Sequence, residues 1–330
     1  MTDVGHQLTD RELAKLEKRI GEEYARALRE MEEKLTEYLD QDEAARLIQE
    51  QLLEAGEITL KEYQDWCFRH EMMGKRWTDM KNVLAEDLLH TDEIALGIAR
   101  DAMPGIFALN ANYAMYQLEH DAKIITAFTL YNHDTAAYLL KGLRQLMPGP
   151  STKLAQQIAR NKALRWNKQK IQSAVLQGIL QGDGSRGTAK RLKDALQISQ
   201  NSAIRYARTM TTSAQNAGRY ESFRRAKDLG VQMVVEWQAT LDHVTRHEHR
   251  QMHGQRREVD EPFILTEGGK TYEILYPADC TGTSNAPQSQ IWNCRCTIQG
   301  KVKGFESETV KYSPKMGNMT YEEWLKEKEK

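Results

Sequence analysis

The chain has 330 residues, with 40% hydrophobic and 28% charged residues and only 7 prolines, which excludes a disordered tail protein and a collagen-like fibre. Its longest apolar runs, such as Ile124 to Leu130, stop well short of the ~18–20 residues that a membrane span needs. The formal net charge of −1 hides a segregation: residues 1–100 carry 14 Lys and Arg against 24 Asp and Glu, whereas 151–230 carry 16 against 4. The N-terminal part is therefore acidic and the middle strongly basic.

The opening MTDVGHQLTDREL has no apolar h-region, so no signal peptide is expected, and four cysteines are too sparse for a disulfide scaffold. Together these point to a reducing compartment, with thiols buried or metal-bound.

In chain order, Leu13, Leu16, Ile20, Tyr24, Ala27, Met31, Leu35 and Tyr38 recur at three- and four-residue steps, predicting a long amphipathic helix with Asp10 as N-cap. Gly56 is expected to stop a second helix over 44–55. Thr59 is expected to cap a third that runs through Tyr63, Trp66 and Cys67 towards Met72 or Met73. Further helical patterns cover 78–89, 92–103 and 108–146, with Pro104-Gly105 as a break. A partner-binding coiled coil and an intramolecular bundle both suit this region, and the heptad register that fails to persist favours the bundle.

The stretch MPGPST at 147–152 reads as a linker closing a helical region over 1–147. A basic helical region follows over 153–230, with helices at 153–180, 188–196 and 199–229, a turn-rich 182–187 and Gly230 as the stop. At Val231 the pattern changes: 231–237 is β-branched, aromatic and brief, and reads as a strand. Asp242 is expected to cap a short histidine-rich helix ending at Gly254, and strand-like pieces follow at 263–265, 272–276 and 296–302. Residues 231–305 thus form a small α+β module, and 306–330 a terminal arm with one short helix around Tyr321 to Trp324. The fold class is mostly α, with a helical N-terminal region and a basic helical middle followed by the small α+β module.

Four of the nine histidines fall at 243, 247, 249 and 253. His243/His247 and His249/His253 are two four-step pairs, rotated from one another by roughly 120° on a helix, so they cannot all face one ion. His249 and His253, with Cys294 and Cys296 downstream, make a candidate Cys₂His₂ set for a structural Zn²⁺. A turn is expected at 294–296. Cys280 is a substitute ligand, and Cys67 reads as core. The alternative is that the cysteines are small core hydrophobes and the histidines a hydrogen-bonding polar face. No nucleophile elbow, Walker A loop, dinucleotide fingerprint or zincin motif is present. A metal-dependent nuclease using His249, His253 and Asn293 is the enzymatic alternative, and requires an open coordination position.

Arg160, Lys162, Arg165, Lys168 and Lys170 flank Trp166, and Arg186, Lys190, Arg191, Lys193, Arg205 and Arg208 follow within two helices. This density suits a polyanion held through phosphate, without sequence reading. An acidic protein surface suits it equally on charge alone.

Seven pieces now stand in order: Ala207-Arg208-Thr209; Ala214-Gln215-Asn216-Ala217 with 226–230; Trp237 to Asp242; His249 to Gly254; Glu261-Pro262-Phe263; Tyr276-Pro277-Ala278-Asp279; and Asn293-Cys294-Arg295-Cys296. In order and spacing they resemble the phage Mu F-like head morphogenesis family of minor head, or minor capsid, proteins, over about 160–305. The resemblance implies a non-enzymatic protein of the phage head, associated with the portal vertex and acting in head morphogenesis and DNA packaging or ejection. It implies portal or major capsid protein as partners of region 1–147 and several copies per particle, and the charge of 153–230 adds an expected non-specific contact with double-stranded DNA. The expected location is the virion, and the bacterial host cytoplasm during assembly, with no membrane partner.

Overall fold

A computed structural model describes residues 3–73, 75–142, 153–180, 185–279, 286–305 and 310–329. The chain is mostly α, with a small α+β module near the C-terminus. No helix among the described residues is long and apolar enough to cross a membrane. The linker expected at 147–152, part of the turn at 182–187 and Cys280 lie outside the described residues.

Helices α1 (Val4–Glu54), α2 (Leu60–Met73) and α3 (Lys75–Ala122) make up the N-terminal part. The stripe read from the sequence is the buried one: Leu16, Ile20, Tyr24, Ala27, Met31 and Leu35 are all buried. Helix α1 begins before Asp10, which is therefore not its cap, and runs through the break expected ahead of residue 44. Gly56, at φ 74, does follow the end of α1. Thr59 caps α2 as expected, in a reciprocal pair in which the Glu62 N–H donates to Thr59 Oγ1 at 3.2 Å and the Thr59 N–H donates to Glu62 Oε2 at 2.8 Å.

Pro104 does not break α3 but sits inside it. A proline removes one backbone donor and strains one turn; here Met103, Ile106 and Phe107 are all buried on either side of it, and that packing holds the helix through. The helix expected over 108–146 is instead interrupted. Lys123 takes φ 55, the two-residue strand β1 (Ile124–Ile125) follows, and α4 (His133–Gly142) begins only after an extended stretch.

Helix α5 (Lys153–Leu180) has the bounds read from the sequence. Helix α6 (Ser185–Asp228) is one helix where two were expected, since nothing between Leu196 and Ser199 carries a breaker. It stops at Gly230, φ 91, where a left-handed conformation costs glycine least.

The α+β module is built on β2 (Val231–Gln238), which pairs antiparallel with β3 (Arg256–Glu258) on one side and β6 (Thr297–Phe305) on the other. The β2–β6 register runs from Val231 opposite Phe305 to Gln238 opposite Thr297, with an irregularity after Gln232. A separate hairpin joins β4 (Phe263–Glu267) to β5 (Lys270–Ile274). Two short helices, α7 (His247–Met252) and α8 (Gln288–Ile291), flank it. The segment expected to be a terminal arm is packed: β7 (Lys311–Tyr312) pairs with β1, and α9 (Tyr321–Lys328) buries Trp324 to 1% exposure.

The chain divides into two compact units that interleave along the sequence. One comprises 1–17, 97–148 and 204–330, the other 18–96 and 149–203. In the first, a continuous core joins Phe107, Met115 and Leu118 of α3, Phe223 of α6, Trp237 of β2, Phe263 of β4, Ile298 of β6 and Trp324 of α9. Within it α3 and α6 approach so closely that a Cβ on Gly218 would stand 2.4 Å from the Phe107 carbonyl oxygen. In the second, Ile20, Met31, Leu84, Leu88, Ile171 and Leu192 are among the buried residues, and Tyr24 donates to Asp92 Oδ1 at 2.5 Å.

Candidate metal centre

Three of the four proposed ligands come together. One ligand atom each from His249, Cys294 and Cys296 lies within 4.8 Å of the others, and all three residues are buried, at 2%, 2% and 1% exposure. His249 Nδ1 lies 3.3 Å from Cys296 Sγ and 3.6 Å from Cys294 Sγ. His253 is not in the cluster. It is exposed, and its Nδ1 accepts the Ala239 N–H at 3.2 Å. The reason is the length of α7: the helix ends at Met252, and His253 is its C-cap with ψ 127, so the four-residue step from His249 leaves the helical face.

The start of α7 also differs from expectation. Asp242 does not cap it; the Val244 N–H and Thr245 Oγ1 donate to Asp242 Oδ1 at 3.1 and 2.9 Å in a turn that precedes the helix. His243 therefore lies outside α7 and cannot pair helically with His247. His249 stands edge-on to Trp237 of β2, with ring centroids 5.9 Å apart at 78°.

The backbone bends just ahead of the two cysteines. Asn293 takes φ 55, a left-handed conformation that asparagine tolerates better than most residues. Cys294 then lies outside any strand, and the Cys296 N–H donates to Cys294 Sγ at 3.4 Å. Side chains satisfy the carbonyls of this segment one after another. Arg246 Nη2 donates to Trp292 O at 2.6 Å, Thr212 Oγ1 to Cys294 O at 2.7 Å, Thr240 Oγ1 to Arg295 O at 2.9 Å and Asn216 Nδ2 to Cys296 O at 3.1 Å. The Asn293 N–H donates to Thr209 Oγ1 at 2.9 Å, and the Ile298 N–H to Asn216 Oδ1 at 3.2 Å.

Thr209, Thr212 and Asn216 of α6 thus clamp the cysteine turn, a role that sequence reading missed. The signal was present as polar residues at steps of three and four on a helix face whose other members, Ala207, Met210, Ala214 and Ala217, are apolar and buried.

The two sulfurs behave as a coupled pair. The hydrogen bond from the Cys296 thiol, helped by His249, holds Cys294 well below the usual thiol range against the opposing effect of burial. The hydrogen bond and negative charge of Cys294, added to burial, push Cys296 up. Two sulfurs beside an imidazole nitrogen form a soft donor set of the kind that thiophilic cations take.

The nuclease alternative finds no support in this arrangement. His249 and His253 do not converge, Asn293 is exposed in the turn, and His249 is closed off from solvent.

The proposed DNA-binding residues differ in what they are free to do. Arg160 is held by Glu86 and Glu93 at 2.9 and 2.8 Å, and Arg208 by Glu17 at 2.6 Å. Lys170 is half-buried and donates to Ser199 Oγ at 3.1 Å, and burial lowers its pKa against the attraction of Asp92. Lys162, Arg165, Lys190, Lys193 and Arg205 are exposed and form no ion pair among the described residues, and Lys168 is half-buried. Trp166 is exposed, with Lys170 Nζ 5.8 Å from its ring centroid. Arg191 has a partner, and the side chain of Arg186 lies outside the described residues.

In this mostly helical chain the basic helix α6 leads into a small sheet module that holds the buried His-Cys-Cys cluster. Residues 169–299 match the family model described as Phage Mu protein F like protein, so the family resemblance holds over this segment. Among curated proteins, the chain is 30% identical to "Minor head protein GP7" of Bacillus phage SPP1 over 174 residues, 48% of this chain and 50% of that protein. It is also 25% identical to "NAD(+)--arginine ADP-ribosyltransferase EFV" of Enterococcus faecalis over 233 residues, 68% of this chain and 43% of that protein. The chain thus spans about half the length of the curated relatives it matches. No solved structure matches it at a significant level.

Proposed function

We propose that this chain is a minor head protein of a tailed bacteriophage, a non-enzymatic component of the virion that joins the particle in the host cytoplasm. The observation that carries this reading is the match of 169–299 to the Mu F-like model, supported by the likeness to a protein named as a minor head protein in phage SPP1. In this reading the helical N-terminal region attaches to portal or major capsid protein near the portal vertex, in several copies per particle. The basic helices α5 and α6 contact packaged duplex DNA through its phosphates.

The acidic partners found for Arg160 and Arg208 narrow the DNA role to Lys162, Arg165, Lys190 and Lys193, with Arg205 further along α6. Contacts of this kind carry no base preference and weaken steeply with salt, by about 0.9 in the log–log slope per phosphate neutralised. The test is fluorescence anisotropy of the full chain with duplexes of unrelated sequence across a salt series. Binding should be sequence-independent, and Lys162→Glu with Arg165→Glu should flatten the salt slope, whereas Arg160→Ala should leave it nearly unchanged. Salt-insensitive binding, or none, removes the DNA role. Capture of portal protein by the nuclease-treated chain then tests the remaining part separately.

A further inference from the structure

We propose that His249, Cys294 and Cys296 form a zinc site that ties α7 to the turn leading into β6, and that His253 takes no part in it. The inference is independent of any DNA role, since it concerns atoms buried inside the α+β module.

Its first support is metric. Zinc holds sulfur at ~2.3 Å and imidazole nitrogen at ~2.0–2.1 Å in a tetrahedron, so an N···S edge of such a site measures ~3.6 Å. The two edges from His249 Nδ1 are 3.3 and 3.6 Å. Both are within a few tenths of an ångström of that length without any backbone movement.

Hydrogen bonding leaves this histidine under-used. A ring nitrogen has one in-plane position for a hydrogen bond, as donor or acceptor, yet two sulfurs lie within 3.6 Å of Nδ1. The other ring nitrogen, Nε2, is buried without a hydrogen-bond partner, at a cost of ~1–3 kcal/mol for an orphaned polar group. A histidine kept for its hydrogen bonds would use both nitrogens. This one directs its only polar engagement at two thiols.

The surroundings are those of a ligand set. The Cys296 N–H donates to Cys294 Sγ, an interaction that favours the thiolate needed for metal binding. Thr209, Thr212 and Asn216 fix the turn that carries both sulfurs. Such outer contacts orient ligands before an ion arrives. Two thiolates and an imidazole select zinc over magnesium or calcium, which prefer oxygen donors. His249 and Cys294 are 45 residues apart, so a shared ion would close a long loop containing β3 and the β4–β5 hairpin, and its binding energy would add to the stability of the module.

The test is elemental analysis of full-length protein purified without chelator from zinc-supplemented cells, with cobalt substitution as a second measurement. About one zinc per chain is expected. Cobalt should give thiolate charge-transfer absorption in the near ultraviolet. His249→Ala, Cys294→Ser and Cys296→Ser should each abolish both signals, while His253→Ala should keep them. Should a ligand variant fail to fold, as judged by far-ultraviolet circular dichroism, the wild type decides through a fall in its melting temperature on chelation. A wild-type chain that carries no zinc and takes no cobalt overturns the proposal, as does loss of the metal in His253→Ala.

Discussion

The guanidinium of Arg295 grips the carboxylate of Asp242 through two hydrogen bonds, Nη1 to Oδ2 at 2.6 Å and Nη2 to Oδ1 at 2.8 Å. This joins the turn before α7 to the residue between the two cysteines, so one fork positions both segments that bring His249 towards the sulfurs. Arg250 Nη2 adds a bond to the Asp242 carbonyl at 2.5 Å. The hydrogen bonds from Arg295, against the opposing effect of desolvation, hold the Asp242 carboxyl well below the usual carboxylate range.

Asp242→Asn should therefore lower the melting temperature modestly, since the pair is solvent-exposed and screened by salt. The sign with pH follows from the lowered value. The pair contributes in full above the unfolded-state carboxylate pKa of about 3.9, and the contribution fades as pH falls through the lower folded-state value. The gap in melting temperature between wild type and Asp242→Asn should be level from neutral pH to about 4 and narrow below it. A gap that changes between pH 6 and 8 would show another group to be responsible.

A stronger pair lies deeper. Arg219 is 2% exposed and donates to Asp3 at 2.6 and 3.0 Å, to Asn110 Oδ1 at 3.3 Å and to the Ile298 carbonyl at 3.2 Å, joining the residue just before α1 to α3, α6 and β6. Burial works to raise the Asp3 pKa, but Arg219 outweighs it and the net shift is downward. Removing the carboxylate leaves a buried cation without a counter-charge, so Asp3→Ala should cost about 3 kcal/mol. Asp3→Ala with Arg219→Met should cost less than the sum of the two single changes. Urea denaturation of the four proteins measures this; strict additivity would mean that the two groups do not interact. The wild-type advantage should persist above pH ~4 and fall away in acid as Asp3 is protonated.

Where the sequence carried a physical rule to its end, the fold follows it. The α1 stripe is buried, Thr59 and Glu62 cap each other, and α5 has the expected bounds. Local rules failed where packing overrode them: Pro104 stays helical among buried neighbours, and Asp10 is bypassed because α1 starts earlier. The interleaving of two units along three long helices left no mark that periodicity could reveal, since a helix face looks alike on either side of such a division. At the site, the sulfurs and His249 were legible from residue type. His253 misled because the four-residue rule holds only while the helix lasts, and α7 ends one residue too soon. The turn ahead of Cys-x-Cys comes from Asn293, whose left-handed backbone is a tolerance of asparagine rather than a demand.

The C-terminal segment supplies the last prediction. Glu119 of α3 is wholly buried, and its carboxylate accepts Trp324 Nε1 at 2.6 Å, Lys328 Nζ at 2.9 Å, the Thr126 N–H at 2.9 Å and Thr126 Oγ1 at 2.6 Å. Trp324 also stacks on Phe128 and lies near Tyr116, while Thr320 and Glu323 form a capping box that starts α9 in the right place. The tail is thus fixed by both apolar packing and a satisfied buried charge, and two substitutions separate them. Trp324→Phe keeps most of the packing but leaves Glu119 one donor short, for about 1–3 kcal/mol. Trp324→Ala removes the ring as well, for about 3–5 kcal/mol. Chemical denaturation should give midpoints in the order wild type, Trp324→Phe, Trp324→Ala at similar slope. Equal midpoints for all three would mean that α9 is detached in solution and that the core of this unit closes without it.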